Sequence, residues 1–114
     1  MKVIEVVISD KFADWFKDLD SQAKKDIFAS IETLKAFGHR LGRPHVDTLK
    51  GSKITNLKEL RVRSQGRPYR ILFVFDPKRR IFLIIGGNKA NDKKFYEHMI
   101  ANAQKIYSKF LKEL

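Results

Sequence analysis

The stretch Leu57–Lys89, LKELRVRSQGRPYRILFVFDPKRRIFLIIGGNK, contains three runs typical of β-strands, separated by two short polar links. The first run, Leu57–Arg63, alternates charged and apolar residues. The second, Tyr69–Phe75, and the third, Ile81–Ile85, are apolar on both faces except at Arg70. Because short links join neighbouring antiparallel strands, and one link carries a turn-favouring proline, the stretch predicts an antiparallel meander with a central, doubly covered last strand.

The register between the first two strands decides where the arginines lie. The apolar residues of the first run need apolar neighbours facing the helices, and the bulkiest such set on the second is Ile71, Phe73 and Phe75. This alignment places Arg70 on the other face, because a guanidinium in the helix-packed core would be costly unless paired. The predicted positive face comprises Glu59, Arg61, Arg63 and Arg70, floored by Leu72 and Val74.

The sequence before the meander predicts a strand and two helices. Val3–Ile8 is rich in Val and Ile, which is typical of a short strand. Lys11–Leu19 carries apolar residues at helical spacing, and so does the segment from Asp20 or Ser21 to Phe37, which Gly38 ends. We expect these two helices to form an antiparallel hairpin.

After the hairpin we expect an irregular segment, and after the meander a last helix. Gly38–Thr55 is punctuated by glycine and proline, which predicts an irregular connection. From Asn91 or Asp92 to the C-terminus, apolar residues again recur at helical spacing. The predicted order is β-α-α-β-β-β-α in one domain over residues 1–114. With all helices on one face of a mostly antiparallel sheet, this is an α+β domain of two layers.

The charge of the chain indicates its partners. Its 24 Lys and Arg face 13 Asp and Glu, for a net charge of +11, and a small basic domain typically meets nucleic acid, a ribonucleoprotein or an acidic protein. The absence of cysteine excludes disulfides and thiolate metal sites, and the three histidines lack a metal-binding spacing. With no apolar run long enough to cross a membrane and no signal-peptide pattern, we expect a cytoplasmic protein.

The segment Gly86–Tyr96, GGNKANDKKFY, leaves the last strand of the meander. Its basic and aromatic side chains are Lys89, Lys93, Lys94 and Tyr96. Antiparallel neighbours bring the end of one strand beside the start of the next, so this exit should lie at the same end of the sheet as Arg70. We therefore expect these side chains to converge with Arg61 and Arg70, and the two glycines to let the chain turn sharply off a buried strand.

Three motifs together resemble the RelE/ParE superfamily of toxins from bacterial type II toxin–antitoxin systems: LKELRV at 57–62, GRPYRILF at 66–73 and GGNKANDKKFY at 86–96. The likeness is greatest to the phage Gp49-like, HigB-type branch and covers nearly the whole chain. It implies a RelE-like fold and an mRNA endonuclease that works on the ribosome without metal or other cofactor, by attack of the ribose 2′-hydroxyl on the neighbouring phosphate. It also implies an antitoxin partner, often with a helix-turn-helix part, which should be acidic where it covers the cleft.

By motif position, the resemblance implies a catalytic set of Arg61, Arg70, Lys89 and Tyr96. Guanidinium groups suit the charged transition state, while Lys89, Tyr96 and Glu59 are alternative bases, and Tyr96 could instead stack on a base or orient the phosphate. The family's ribonuclease members often carry further basic residues where this chain has Ala90 and Glu59; Lys93, Lys94, Arg63 or Arg67 could replace them. The side chains expected to contact RNA are Arg63, Arg67, Lys93, Lys94, Arg79 and Arg80.

Two other functions fit the same composition. One is a gyrase-poisoning toxin of the same fold, which needs no nuclease residues. The other is a basic nucleic-acid-binding domain without catalysis. The set of two arginines, a lysine and a tyrosine favours the nuclease.

Overall fold

The computed structural model describes residues 3–114, so Met1 and Lys2 of the predicted 1–114 domain lie outside the described residues. The elements are β1 Val6–Ile8, α1 Asp10–Lys17, α2 Ser21–Phe37, β2 Val46–Thr48, β3 Lys58–Ser64, β4 Arg67–Phe75, β5 Ile81–Asn88 and α3 Phe95–Lys112. One sheet has the strand order β1-β5-β4-β3-β2, in which β1 pairs parallel to β5 and every other pair is antiparallel. The α+β class and the antiparallel meander are confirmed. No helix within residues 3–114 is long and apolar enough to span a membrane.

The connection after α2 is more regular than its sequence predicts. A short 3-10 turn, Gly38–Arg40, follows α2, and β2 then pairs with β3. Residues 46–48 form a strand because the buried side chain of Val46 lies opposite Leu60 on the core side of the sheet. The prediction that all of residues 38–55 are irregular is therefore wrong, and the sheet has five strands within the described part of the chain.

The first two helices begin and end at residues that suit those positions. Ser9 Oγ accepts a hydrogen bond from the Phe12 amide at 3.0 Å, and Asp20 Oδ1 accepts one from the Ala23 amide at 2.8 Å. Gly38, with φ of 59°, ends α2. The last helix begins at Phe95, later than predicted, because Asp92 Oδ1 accepts from the Lys94 amide within a turn that precedes α3.

The helices cover both faces of the sheet. On one face, the side chains from α1 and α2 that pack against β3, β4 and β5 include Phe12, Ala23, Ile27 and Leu34. On the other face, those from α3 that pack against β4 and β5 are Phe95, Met99 and Ala103. The prediction that all helices share one face is right for α1 and α2 and wrong for α3. Strands that are apolar on both faces need cover on both.

A β-bulge in the β4–β5 pair decides how the chain leaves the sheet. The register shifts between Leu72 and Phe73, so that Gly86 faces α1 and Gly87 faces α3. A Cβ on Gly86 would collide with the Trp15 ring, and one on Gly87 would lie 3.0 Å from Phe95 Cε1. Both glycines lie within β5, so the predicted sharp turn there is wrong; they allow helices to approach closely from either side.

Candidate functional site

Four charged side chains of β2, β3 and β4 share the face that α3 covers in part. In the strand register Asp47 lies opposite Glu59, and Arg61 lies opposite Arg70. Like charges directly opposite each other are unfavourable, but each carboxylate is diagonal to a guanidinium, so opposite charges are neighbours along the diagonals. Arg70 lies on the face away from α1 and α2, as its register predicts. The expected positive face is, however, a mixed network of both signs, and α3 covers its apolar floor.

Glu59 is at the centre of this network, and its side chain is only 2% exposed. Its Oε2 accepts a hydrogen bond from Arg61 Nε at 3.1 Å. Its Oε1 accepts one from the Tyr96 hydroxyl at 2.7 Å. Arg70 Nε lies 3.5 Å from the same Oε1, which is close enough for ion pairing but forms no hydrogen bond. One buried carboxylate therefore contacts three of the four predicted catalytic side chains.

The two arginines differ in their partners. Arg61 Nη2 also contacts Asp47 Oδ2 at 3.2 Å, and Arg43 holds that same oxygen at 2.9 Å. The hydrogen bond from Arg43 is the main reason that the pKa of Asp47 is lowered. Arg70 Nη1 donates to the Tyr69 carbonyl at 3.0 Å, while its buried Nε has no hydrogen-bond partner within residues 3–114. Arg61 is thus hydrogen-bonded to two carboxylates. Arg70 forms no hydrogen bond with any carboxylate in the described chain.

Tyr96 and Lys89 complete the site from the segment between β5 and α3. The buried Phe95 ring anchors the start of α3 and lies 5.3 Å from the Tyr96 ring. Lys89 Nζ lies 5.3 Å from the centroid of the Tyr96 ring, a cation–π distance. Burial raises the pKa of Tyr96, the hydrogen bond to Glu59 raises it further, and Arg70 opposes both. The phenol is therefore protonated at neutral pH, which suits a hydrogen-bond donor better than a base.

The structure thus brings Arg61, Arg70, Lys89 and Tyr96 together, although their catalytic roles stay a prediction. Arg63, Lys93 and Lys94 are exposed at the same end of the sheet. Arg43 and Asp47 also contact this network, and sequence reasoning missed them. They lie in the segment expected to be irregular, where no strand parity could assign them to a face.

Three of the predicted RNA contacts lie elsewhere. Arg67 extends to the α2 side of the sheet, where it donates to Asp20 Oδ2 at 2.9 Å. Arg79 and Arg80 belong to the β4–β5 turn, nine and ten residues along the chain from Arg70, and the strand from Arg70 to Phe75 alone spans about 17 Å. Arg80 is paired with buried Asp76 at 2.7 Å. These three residues do not share a surface with Arg70.

Within residues 3–114, no group of three or more His, Cys, Asp or Glu side chains is arranged to hold a metal ion. Two histidines lie away from the network: His39 packs against Phe75 near the β4–β5 turn, and His98 is exposed. The third, His45, contacts it through its backbone, because its carbonyl accepts a hydrogen bond from the Arg61 amide at 2.8 Å. The chemistry that the described site offers is that of guanidinium, ammonium, carboxylate and phenol.

Comparison with known proteins gives a consistent family. The family model described as phage derived protein Gp49-like matches residues 14–108. Two Mycobacterium tuberculosis H37Rv proteins are each 40% identical to the chain: "Putative toxin HigB2", over 90% of this chain and 52% of that protein, and "Putative toxin HigB3", over 83% and 82%. The chain therefore spans about half the length of the first of these relatives.

A solved structure matches the fold at low sequence identity. It is a mutant of the E. coli toxin RelE in the free state, with a TM-score of 0.59 and 10% identity. The match covers 86% of this chain and 96% of the RelE chain. At this identity the likeness concerns the fold alone, and it confirms the RelE-like architecture.

Proposed function

The chain belongs to the Gp49-like family, and from this premise we propose that it is the toxin of a type II toxin–antitoxin system that cleaves mRNA on the ribosome. The names of its two mycobacterial relatives, both toxins, support the first part of the proposal. The site supports the second part. It presents a guanidinium, an ammonium and a phenol on one face of a domain with a net charge of +11.

The nuclease proposal rests mainly on the environment of Arg70. It interrupts the apolar part of β4, from Pro68 to Phe75, and its Nε is buried without a hydrogen-bond partner in the described chain. A native protein satisfies nearly all of its buried polar groups, and an exception is often explained by a function. A guanidinium presents a rigid fork of donors that matches two phosphate oxygens. Arg70 therefore fits a group that binds the scissile phosphate.

The proposed reaction is an internal transfer of the phosphate. The ribose 2′-oxygen attacks the neighbouring phosphorus and its proton passes to a base, while the bond from phosphorus to the 5′-oxygen breaks and that oxygen takes up a proton. The products are a 2′,3′-cyclic phosphate and a 5′-hydroxyl. Arg70 stabilises the charge that develops on the phosphate oxygens, and Lys89 adds positive charge beside it. Tyr96, whose hydroxyl proton is donated to Glu59, stacks on a base of the RNA.

The proposed partners follow from the same assignment. The ribosome and mRNA present phosphate, to which a strongly basic domain is attracted without regard to sequence. A cognate antitoxin should cover the site with acidic side chains, because charge complementarity favours their association. On this proposal the protein works in the cytoplasm, where ribosomes are.

Expression in bacteria tests the proposal directly. The chain is induced alone and together with its neighbouring small gene, growth is followed, and the 5′ ends of mRNA are mapped after induction. We expect growth arrest that the neighbouring gene relieves, with new mRNA 5′ ends that Arg70→Ala abolishes. Arg40→Ala, an exposed arginine in the turn after α2, is the matched control and should arrest growth like the unmodified chain.

Two results would contradict the proposal. Undisturbed growth on full induction would exclude a toxin. Growth arrest with gyrase-dependent DNA breaks and no new mRNA ends would favour the gyrase-poisoning alternative.

A further inference from the structure

We infer that Glu59 is a positioning residue, which fixes Arg61 and Tyr96 and leaves Arg70 as the arginine that binds the substrate phosphate. This inference rests on the proposed function and goes beyond it in one respect. It gives the two arginines that face each other across β3 and β4 different tasks.

Glu59 cannot reach an RNA chain itself. Its side chain is 2% exposed, and each of its carboxylate oxygens already accepts a hydrogen bond. A general base must come within about 2.6–3.2 Å of the proton that it removes. Glu59, which its sequence position made an alternative base, therefore acts through the groups that it holds.

Arg61 is occupied by protein partners. Its Nε donates to Glu59 and its Nη2 donates to Asp47, so this guanidinium is in contact with two carboxylates. To bind a phosphate with this edge, Arg61 would have to leave both carboxylates, one of them buried. Separating the buried carboxylate of Glu59 from its charged partner is strongly unfavourable. Arg61 is thus better suited to hold Glu59 in place than to bind substrate.

Arg70 is held differently. Glu59 Oε1 accepts a hydrogen bond from the Tyr96 hydroxyl at 2.7 Å, and Arg70 Nε stays 3.5 Å from the same oxygen. The carboxylate offsets the charge of Arg70 enough for two arginines to face each other across the strands, yet takes no hydrogen bond from it. A phosphate oxygen accepts charge-assisted hydrogen bonds from a guanidinium, which Arg70 makes with no carboxylate of the described chain.

A titration of the tyrosines tests the position of Glu59 without any need for activity. The absorbance of tyrosinate is followed with pH in the unmodified protein and in Glu59→Gln, and subtraction of the Tyr96→Phe curve isolates Tyr96 from the other two tyrosines. Glu59→Gln keeps the volume of the side chain and removes its charge. We expect Tyr96 to ionise at lower pH in this variant, because a nearby carboxylate opposes formation of tyrosinate.

Glu97→Gln is the matched control. Glu97 follows Tyr96 in the chain but is exposed, so its removal should shift the titration much less. An unchanged Tyr96 titration in Glu59→Gln would overturn the inference, whatever the protein does to RNA.

The kinetics of cleavage on ribosomes test the division of tasks. Glu59→Gln should lower kcat about 100-fold, the order expected when a reacting group is misplaced by about 1 Å. A fall of kcat at low pH that is seen in the unmodified protein and absent from this variant would make Glu59 the base and overturn the inference. Arg70→Lys should weaken the binding of a labelled RNA oligonucleotide more than Arg61→Lys does, because lysine cannot replace the guanidinium fork. Equal losses in the two lysine variants would contradict the assignment.

If the unmodified protein cleaves no RNA, the proposed function fails and the titration alone decides the role of Glu59.

Discussion

Two buried carboxylates lie beside arginines at opposite ends of the sheet, Asp76 in the β4–β5 turn and Glu59 on β3, and their hydrogen bonds differ. At the turn, the Asp76 side chain is 0% exposed and accepts from the amides of Lys78 and Arg80 and from Arg80 Nε and Nη2, at 2.7–3.0 Å. At the other end, Glu59 is satisfied by Arg61 and Tyr96, whereas Arg70 Nε has no hydrogen-bond partner within residues 3–114. At the turn, which we call the saturated end, the arginine is hydrogen-bonded to the buried carboxylate. At the other, open end, Arg70 is not.

This difference separates a structural ion pair from a binding site. Taking a charge out of water is expensive, and at the turn hydrogen bonds to both oxygens of Asp76 offset that cost. A buried donor without a hydrogen bond costs about 1–3 kcal/mol, and at Arg70 the ion pair with Glu59 offsets this cost, so that the residue adds little to stability. We therefore expect mutations at the turn to affect mainly folding, and mutations at the Arg70 end to affect mainly activity.

The largest effect should come from breaking the saturated end. Asp76→Ala leaves the Arg80 guanidinium without its main partner and leaves two turn amides without their acceptor. We expect the free energy of unfolding to fall by about 3–5 kcal/mol, measured by urea denaturation.

Asp14→Ala is the control for this loss. Asp14 lies 3.7 Å from Lys17 with both side chains mostly exposed, so its removal should change stability by less than about 0.5 kcal/mol. If the two aspartate variants were equally stable, the saturated contacts of Asp76 would not be what stabilises the turn.

The next effect should appear at the open end, and in activity. Arg70→Ala should lower the rate of RNA cleavage about 100- to 1,000-fold, as expected for loss of a group that stabilises transition-state charge. Its free energy of unfolding should change by less than about 1 kcal/mol, because Glu59 keeps its hydrogen bonds to Arg61 and Tyr96. Cleavage assays on ribosomes and urea denaturation of the same samples measure both quantities.

Arg80→Ala supplies the opposite case. This variant should lose several kcal/mol of stability, because it leaves buried Asp76 without its charged partner. Comparable stability losses at Arg70 and Arg80 would remove the distinction between the two ends.

The sequence predicts the side of the sheet for Arg61 and Arg70 because only one strand register pairs the apolar residues of β3 and β4. It cannot predict that α3 packs on that same face. The apolar pattern of β4 and β5 is equal on both faces, so it requires cover on each side without saying which helix supplies it. Strand β2 escapes prediction for a different reason, since three residues are too few to show an alternating pattern.

The burial of Glu59 is the part of the site that local sequence conceals. In the alternating run of β3 it looks like one more charge facing water. Its burial depends on Tyr96, 37 residues further along the chain, and on arginines of two strands. Such a contact follows from the tertiary arrangement and carries no local signal. The polarity of the site was predictable, whereas its central carboxylate contact was not.

A smaller effect should separate the two glycines of β5, which face opposite sides of the sheet near Arg70. Gly86→Ala should cost about 1–3 kcal/mol, because its Cβ would displace the Trp15 ring in the packed core. The Cβ of Gly87→Ala meets Phe95 Cε1 at 3.0 Å and Met99 at 3.4 Å, so small shifts accommodate it and the loss of stability should be smaller. Since Phe95 precedes Tyr96, this variant should affect cleavage more than stability. Urea denaturation and cleavage assays on both variants check the contrast, and a larger stability loss for Gly87→Ala would contradict it.

The smallest effect is the pH dependence of stability at Asp47, the carboxylate that contacts Arg61 from β2. The pKa of Asp47 is lowered below its ordinary 3.8, first by the hydrogen bond from Arg43. A lowered pKa in the folded state stabilises the fold fully above the ordinary value, and this contribution is lost as the pH falls through the lower, folded-state value. Asp47→Asn should therefore have a slightly lower free energy of unfolding than the unmodified protein at pH 7, and this gap should close as the pH falls below 3.8.

Urea denaturation at several pH values measures the gap in free energy of unfolding. Asp14→Asn is the exposed control, and its gap should be smaller. A gap that persists unchanged at low pH would mean that Asp47 stabilises the sheet through packing, and that its charge adds nothing to the hold on Arg61.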